Sequence, residues 1–365
     1  MAPIRVGIIG LAAKDSPQFV VGEWGVKHFK SLKAMSSAYE IIDICNTSVE
    51  SSARSIEFHK FDPSTVKAYG SAEDIALDPD VDHVVVVVSA KYHMLLAKPA
   101  INAGKDVYVE FPVAPTRKGV KATVGTQSFS DPIMTKLREI LPEVGDVIST
   151  ELTGTTPLDV SIGWPENASG FLELESQVSR IAIVLGLVLG GFSSVVGNFD
   201  DLQSVYKTQT GTTTLLDASY QPSKLNHPVT APDDMLIQGV LKSGVTASIN
   251  IRTSATPIGD VGFHWLISGT LAEIEVVTKP GFCQVGHIGA AVALRKRNEQ
   301  NDQVIEWESE DAASVAGIEG MEQSIARAYA AFAESQTADY ATFETALGTH
   351  RAMGKAAKNA LGARR

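Results

Sequence analysis

Basic charge, cysteine and long apolar stretches are all scarce in this chain, and each scarcity excludes something. The 42 acidic residues against 31 basic ones leave a formal charge of −11, the wrong sign for a surface that grips nucleic acid or an anionic membrane. Cys45 and Cys283 are the only cysteines, too few for a disulfide framework and too isolated for a zinc site. The eight histidines show no metal-ligand spacing, so no metal is expected. No run approaches membrane-spanning length, and the N-terminus enters a strand with no basic and apolar leader before it, so the expected location is cytoplasmic. Asn167-Ala168-Ser169 matches a glycosylation acceptor that would stay idle without such a leader.

What is present is a mixed α/β pattern. With 365 residues and 44% hydrophobic content, two domains with real cores are expected. The stretch Val81 to Pro112 organises the first. Its five consecutive valines, Val84 to Val88, lack alternation and read as a strand buried on both faces of a parallel sheet. Ser89, Lys91 and His93 follow directly, at the carboxyl edge where open α/β sheets bind ligands. A second strand, Val107 to Val109, delivers Glu110, Phe111 and Pro112 to the same edge.

Earlier in the chain, Ile4 to Ile9 reads as a strand followed by Gly10. The dinucleotide fingerprint G-x-G-x-x-G fails here, because its later glycines fall on Ala12 and Asp15. Gly10, Leu11 and Ala12 could still let the backbone approach a pyrophosphate, and a helix starting near Trp24-Gly25 could face it. After the strand Tyr39 to Cys45, the usual ribose-binding acid is replaced by Asn46-Thr47-Ser48. Without that carboxylate a 2′-phosphate is not repelled, and Arg54 could neutralise it, which favours NADP over NAD. Ser71 to Asp74 has the form of a capping box, and Gly104 ends a helix over Tyr92 to Ala103. Between Pro112 and the strand Lys121 to Gly125 lie only eight residues, too few for a parallel crossover with a helix. Either that strand pairs differently or a covering helix is missing.

From Val147 the pattern changes to short strands: Val147 to Thr155, Ser193 to Asn198, Met235 to Leu241, Val245 to Arg252, His264 to Ser268 and Glu273 to Val277. They imply a large, mostly antiparallel open sheet, with one polar face carrying Ser248, Asn250 and Arg252 that suits a homodimer contact or a cavity wall. Gly170 to Gly190 reads as a helix whose first half bears Glu173, Glu175, Ser176, Gln177 and Arg180. Met321 to Ala333 and Tyr340 to Ala360 read as closing helices. The expected organisation is a Rossmann-type domain over residues 1–128 and an α+β substrate and dimerisation domain over 129–365.

These motifs in this order (strand, Gly10 turn, Trp24-Gly25 to His28, Ser89 to His93, Ala103-Gly104-Lys105, Glu110-x-Pro112, then an open sheet) resemble the glucose-fructose oxidoreductase / inositol dehydrogenase (Gfo/Idh/MocA) family. The loop before Trp24, Asn46-Thr47-Ser48, Lys91, Phe199 to Ser204 and Leu236 to Gly239 are similar to its fungal branch, which includes the galactose-pathway co-repressor. The resemblance implies an NAD(P) site built from Gly10, Leu11, Ala12, Trp24, Asn46, Thr47, Ser48, Ser89, Lys91, His93, Glu110, Phe111 and Pro112. It also exposes two departures. The family's Glu-Lys-Pro lysine is Phe111 here, and counting along the Gly170 helix puts its Asp-x-x-x-His pair on Ser176 and Arg180. An arginine is effectively never deprotonated, so Arg180 can bind a carboxylate or an oxyanion but cannot act as a base.

Three functions are compatible with this pattern. The first is an NAD(P)-dependent oxidoreductase of a small carbonyl metabolite, with Glu175, Arg180, Lys91 and His93 as candidate catalytic residues. The second is non-redox chemistry on the same fold, of cyclase, isomerase or lyase type. The third is a cofactor-sensing co-regulator that binds a protein partner.

Overall fold

The computed structural model describes residues 2–13, 23–112, 121–156, 158–254, 256–279, 289–307, 315, 318 and 321–362. The chain divides into two compact units, one of residues 1–130 with 311–347 and one of residues 131–310 with 348–365. The segment expected to lie wholly in a second domain, 129–365, is therefore split, since 311–347 returns to the first unit.

The first unit contains β1 (Ile4–Ile9), α1 (Glu23–Ala34), β2 (Tyr39–Cys45), α2 (Val49–Phe58), β3 (Lys67–Tyr69), α3 (Ala72–Leu77), β4 (His83–Val86), α4 (His93–Asn102), β5 (Asp106–Glu110) and β6 (Ala122–Gly125). Its six strands lie in the order β3-β2-β1-β4-β5-β6 and pair in parallel throughout. Val84, Val85 and Val86 are fully buried, as a strand with helices on both sides requires. β6 joins in parallel, with Val107 opposite Ala122, so the possibility that it pairs differently is excluded. Its connection, 113–120, lies outside the described residues. Ser71 accepts from the Asp74 amide at 3.1 Å and caps α3, and Gly104 ends α4 at φ +79°.

The second unit contains α5 (Pro132–Ile140), β7 (Val147–Thr156), β8 (Trp164–Pro165), α6 (Gly186–Val196), β9 (Phe199–Lys207), β10 (Thr212–Leu216), β11 (Pro222–Pro228), β12 (Asp234–Leu241), β13 (Thr246–Thr253), β14 (Phe263–Gly269), β15 (Ala272–Thr278), β16 (Ala291–Lys296) and β17 (Gln303–Ile305). Eight strands form the sheet β17-β16-β15-β14-β7-β13-β12-β9, antiparallel except for β7 with β13. Alternation is regular, with Ala247, Ile249 and Ile251 buried and Ser248, Asn250 and Arg252 on the other face. Ser193 to Val196, expected as the start of a strand, is the end of α6. Its apolar run alone does not separate a buried helix from a buried strand. The chain closes with α7 (Met321–Ala333) and α8 (Phe343–Gly362), α7 belonging to the first unit. No described helix is long and apolar enough to cross a membrane.

Candidate functional site

The parallel register aligns the residues just past each strand. Ile9 lies opposite Cys45 and Val86, and Val86 opposite Val109, so Asn46, Gly10, Val87 and Glu110 form one row along the carboxyl edge. β1 and β4 lead in opposite directions across the sheet, and ligands of open α/β sheets bind at such a switch point. Gly10 has φ +107°, and a Cβ there would sit 2.2 Å from the Val87 carbonyl oxygen. A Cβ on Gly25 would sit 2.3 Å from the Gly10 carbonyl oxygen. Gly25 thus does what the fingerprint's third glycine does, bringing the first helix hard against the strand end. The sequence motif missed it because the two glycines are fifteen positions apart in the sequence rather than five.

The remaining edge residues are held as follows. Asn46 donates its side-chain amide to the Leu11 carbonyl at 2.9 Å and to Ser55 Oγ at 3.0 Å, clipping the β2 end to the Gly10 turn. Ser48 Oγ accepts from the Ser51 amide at 3.2 Å and caps α2, while Thr47 and Arg54 are exposed. Ala12 O accepts from His59 at 2.8 Å. Trp24 packs against the core of the first unit. Ser89 is exposed, as is Lys91, whose Nζ lies 4.7 Å from the Tyr92 ring centre. A dinucleotide fits this cradle: two positions admit no Cβ, a helix begins behind them, and Asn46 rather than an acid directly follows β2. Gly10, Leu11, Ala12 and the start of α1 would hold its phosphates, and Asn46, Thr47 and Ser48 its ribose. When bound, such a group accepts or donates hydride.

His93 is buried at this edge. Its Nδ1 lies 2.8 Å from the Pro112 carbonyl oxygen and its Nε2 2.9 Å from that of Val88, so the buried ring sits between backbone carbonyls at the β4 and β5 ends. Phe111 is buried, joined to Pro112 by a cis peptide. Glu110 accepts from Gln127 at 3.0 and 3.1 Å and lies 2.9 Å from His28 Nε2. His28 and Gln127 escaped the sequence reading, since neither belongs to a local motif.

In the second unit, the expected helix from Gly170 is absent. A 3₁₀ segment ends at Leu172, turns run to Ser179, and a π-helical turn, Ile181–Leu185, precedes α6. Ser176 and Arg180 are consequently not one helical turn apart on a common face. Glu175 is exposed. Arg180 is only 1% exposed, yet Nε, Nη1 and Nη2 have no hydrogen-bond partner among the described residues. Its guanidinium lies 3.7 Å from Asp233 and 5.5 Å from the Phe171 ring centre. Burial pulls its pKa below the usual arginine value, against the pull of Asp233. Among the described residues, no group of three or more His, Cys, Asp or Glu is placed to hold a metal.

Residues 4–127 match the model described as oxidoreductase family, NAD-binding Rossmann fold (GFO_IDH_MocA), and residues 132–278 match that of the Gal80p C-terminal domain. The chain has the Gfo/Idh/MocA-family fold with a Gal80p-like C-terminal domain. It is homologous to the galactose/lactose metabolism regulatory protein GAL80 of Kluyveromyces lactis, 24% identical over 318 residues, which cover 78% of this chain and 66% of that protein. The dehydrogenase aclE of Aspergillus oryzae is 27% identical over 290 residues, 75% of this chain and 76% of aclE. A super-repressor mutant of Gal80p from Saccharomyces cerevisiae superposes with a TM-score of 0.82 at 18% identity, covering 99% of this chain and 97% of that one. The family's Rossmann domain binds NAD(P), and its fold is associated with oxidoreductase activity in related proteins.

Proposed function

We propose that the protein is an NAD(P)-binding regulator that senses the dinucleotide without turning over ordinary sugars. The observation that carries this is a cradle retained beside dispersed proton-transfer groups. His93 lies between two carbonyls, Phe111 stands where the family has lysine, and Lys91 and Glu175 are solvated. Solvated groups lack the water-excluded setting in which positioned acids, bases and dipoles act best. The likeness to GAL80 extends through both units and supports the same reading. NADP is favoured over NAD because Asn46 rather than an acid directly follows β2 and Arg54, exposed on α2 near Glu50, can meet a 2′-phosphate.

The second unit has two roles in this reading. Its buried Arg180 receives a carbonyl or carboxylate oxygen of a small ligand, and its open sheet makes a homodimer or a protein contact. Val205, opposite Leu236 in the register, is 63% exposed, and Leu236 and Val240 are 42% and 41% exposed. Such a face is expected to be covered in solution. A dehydrogenase is the second reading, favoured by the match to aclE along 76% of that protein.

The test is a thermal-shift titration with NAD, NADH, NADP and NADPH, followed by nicotinamide absorbance with inositol, glucose and galactose. The expected result is a stabilising shift without absorbance change. No shift with any dinucleotide would remove this reading, and brisk oxidation of a sugar would establish the dehydrogenase. Product formed without absorbance change would assign non-redox chemistry instead.

A further inference from the structure

A buried polar cluster of the first unit lies behind the strand edge. Gly25 and His28 are three residues apart on α1 and share a face. Gly25 meets the Gly10 carbonyl at the end of β1, while His28, fully buried, reaches Glu110 at the end of β5, two strands away. α1 is therefore mounted at two points across the switch between β1 and β4. On the far side of the imidazole, Nδ1 lies 2.7 Å from the hydroxyl of Tyr329 on α7. In the tautomer that carries its proton on Nε2, His28 donates to Glu110 and accepts from the Tyr329 hydroxyl at Nδ1, while Gln127 donates to the same carboxylate. Gly125 leaves room for that carboxylate, since a Cβ there would lie 2.4 Å from Glu110 Oε1. Tyr329 is fastened in turn, its carbonyl accepting from Tyr39 Oη at 2.7 Å and its ring lying 5.0 Å from that of Tyr108.

We propose that His28, Gln127 and Tyr329 are positioning residues of the dinucleotide site, which fix the N-terminal turn of α1 against the strand edge and tie occupancy of the site to α7. This rests on the reading of the edge as a dinucleotide site. The physical basis is that the amides opening α1 face a pyrophosphate only while the helix keeps its place. A ligand that draws on them favours the braced arrangement, and by linkage the brace favours the ligand. α7 is carried by the segment 311–347, so the far end of the first unit's sequence answers to what binds at its beginning.

The experiment compares Tyr329→Phe, which removes one hydroxyl and keeps the packed ring, with the unaltered chain. NADPH affinity is measured by calorimetry, and amide exchange of α1 and α7 with and without NADPH. A lost buried hydrogen bond should weaken NADPH binding about three- to tenfold and abolish the protection of α7 that NADPH confers on the unaltered chain. His28→Gln, which keeps a donor for Glu110, should weaken binding to a similar degree, and the double variant should be no worse than either single one. Gln127→Met loosens Glu110 from the other side and should act in the same direction if Tyr329→Phe folds poorly. NADPH binding by Tyr329→Phe and Gln127→Met at the unaltered affinity, with α7 protection intact, overturns the proposal. Failure of the unaltered chain to bind any of the four dinucleotides overturns the reading beneath it.

Discussion

Replacing Arg180 by Met should make the second unit more stable. The guanidinium is 1% exposed and none of its nitrogens has a hydrogen-bond partner among the described residues. The Asp233 carboxylate, at 3.7 Å, offers attraction without a hydrogen bond, so the loss of hydration is only partly offset. Removing the arginine does not orphan Asp233, which accepts from the Gln209 and Thr210 amides at 2.6 and 3.0 Å. Methionine fills much of the same space and brings no donors. Exchanging an ill-satisfied buried ion for a packed apolar group is neutral or stabilising by about 1–4 kcal/mol. A gain near ~2 kcal/mol moves a urea midpoint by about 1 M when the slope is roughly 2 kcal/mol/M. Three of the four tryptophans, Trp164, Trp265 and Trp307, belong to the second unit, so fluorescence in urea follows the relevant transition. A loss of about 3–5 kcal/mol, the size expected when a partner is stripped from a well-made buried ion pair, would show that Arg180 is structural. The case for its binding an oxygen ligand would then fall.

Gly25→Ala should cost about 1–3 kcal/mol of stability and most of the dinucleotide affinity, because its Cβ would be driven onto the Gly10 carbonyl oxygen at 2.3 Å; unchanged binding would refute the role given to Gly25. Two buried groups give opposing pH slopes. Burial pushes Asp43 up to about 7 from 3.8, so the folded chain keeps a proton that the unfolded chain has lost, and stability declines as pH rises from about 4 to 7. Burial pushes His83 down to about 3 from 6.5, and neither nitrogen has a hydrogen-bond partner among the described residues, so stability declines as pH falls below about 6.5. Asp43→Asn should therefore unmask acid lability, and His83→Phe should leave a chain that weakens toward neutral pH, both read by urea melts across pH 4 to 7. Light scattering at micromolar protein should report a dimer, and Leu236→Lys should convert it to monomer.

How legible all this was depended on how local the governing contact is. The parallel sheet, its buried valine strand and the residues at its edge could be read directly, because strand ends and the residues that follow them are contiguous in sequence. The large sheet was legible too, through the alternation of Ala247, Ile249 and Ile251 with Ser248, Asn250 and Arg252. Gly170 to Ser179 was misread as helix because apolar spacing further along was carried back over turns. There Ser176 and Ser179 satisfy nearby backbone amides, with Ser176 Oγ accepting from Val178 N–H at 3.2 Å and Ser179 Oγ from Ala182 N–H at 3.3 Å, the short-range competition that keeps serine out of helix interiors. For His93, the position beside the edge is visible in the sequence and the two backbone carbonyls that flank its ring are not. The clamp on Glu110 could not be read at all. Its members come from α1, β5, the turn after β6 and α7, and His28 and Tyr329 are 301 residues apart. Each alone has the look of an ordinary core residue, and only the fold brings imidazole, carboxylate and phenol into one line. A site whose contacts span the whole first unit is therefore best sought by asking which buried polar groups find partners, as His28 does, and which, like Arg180, do not.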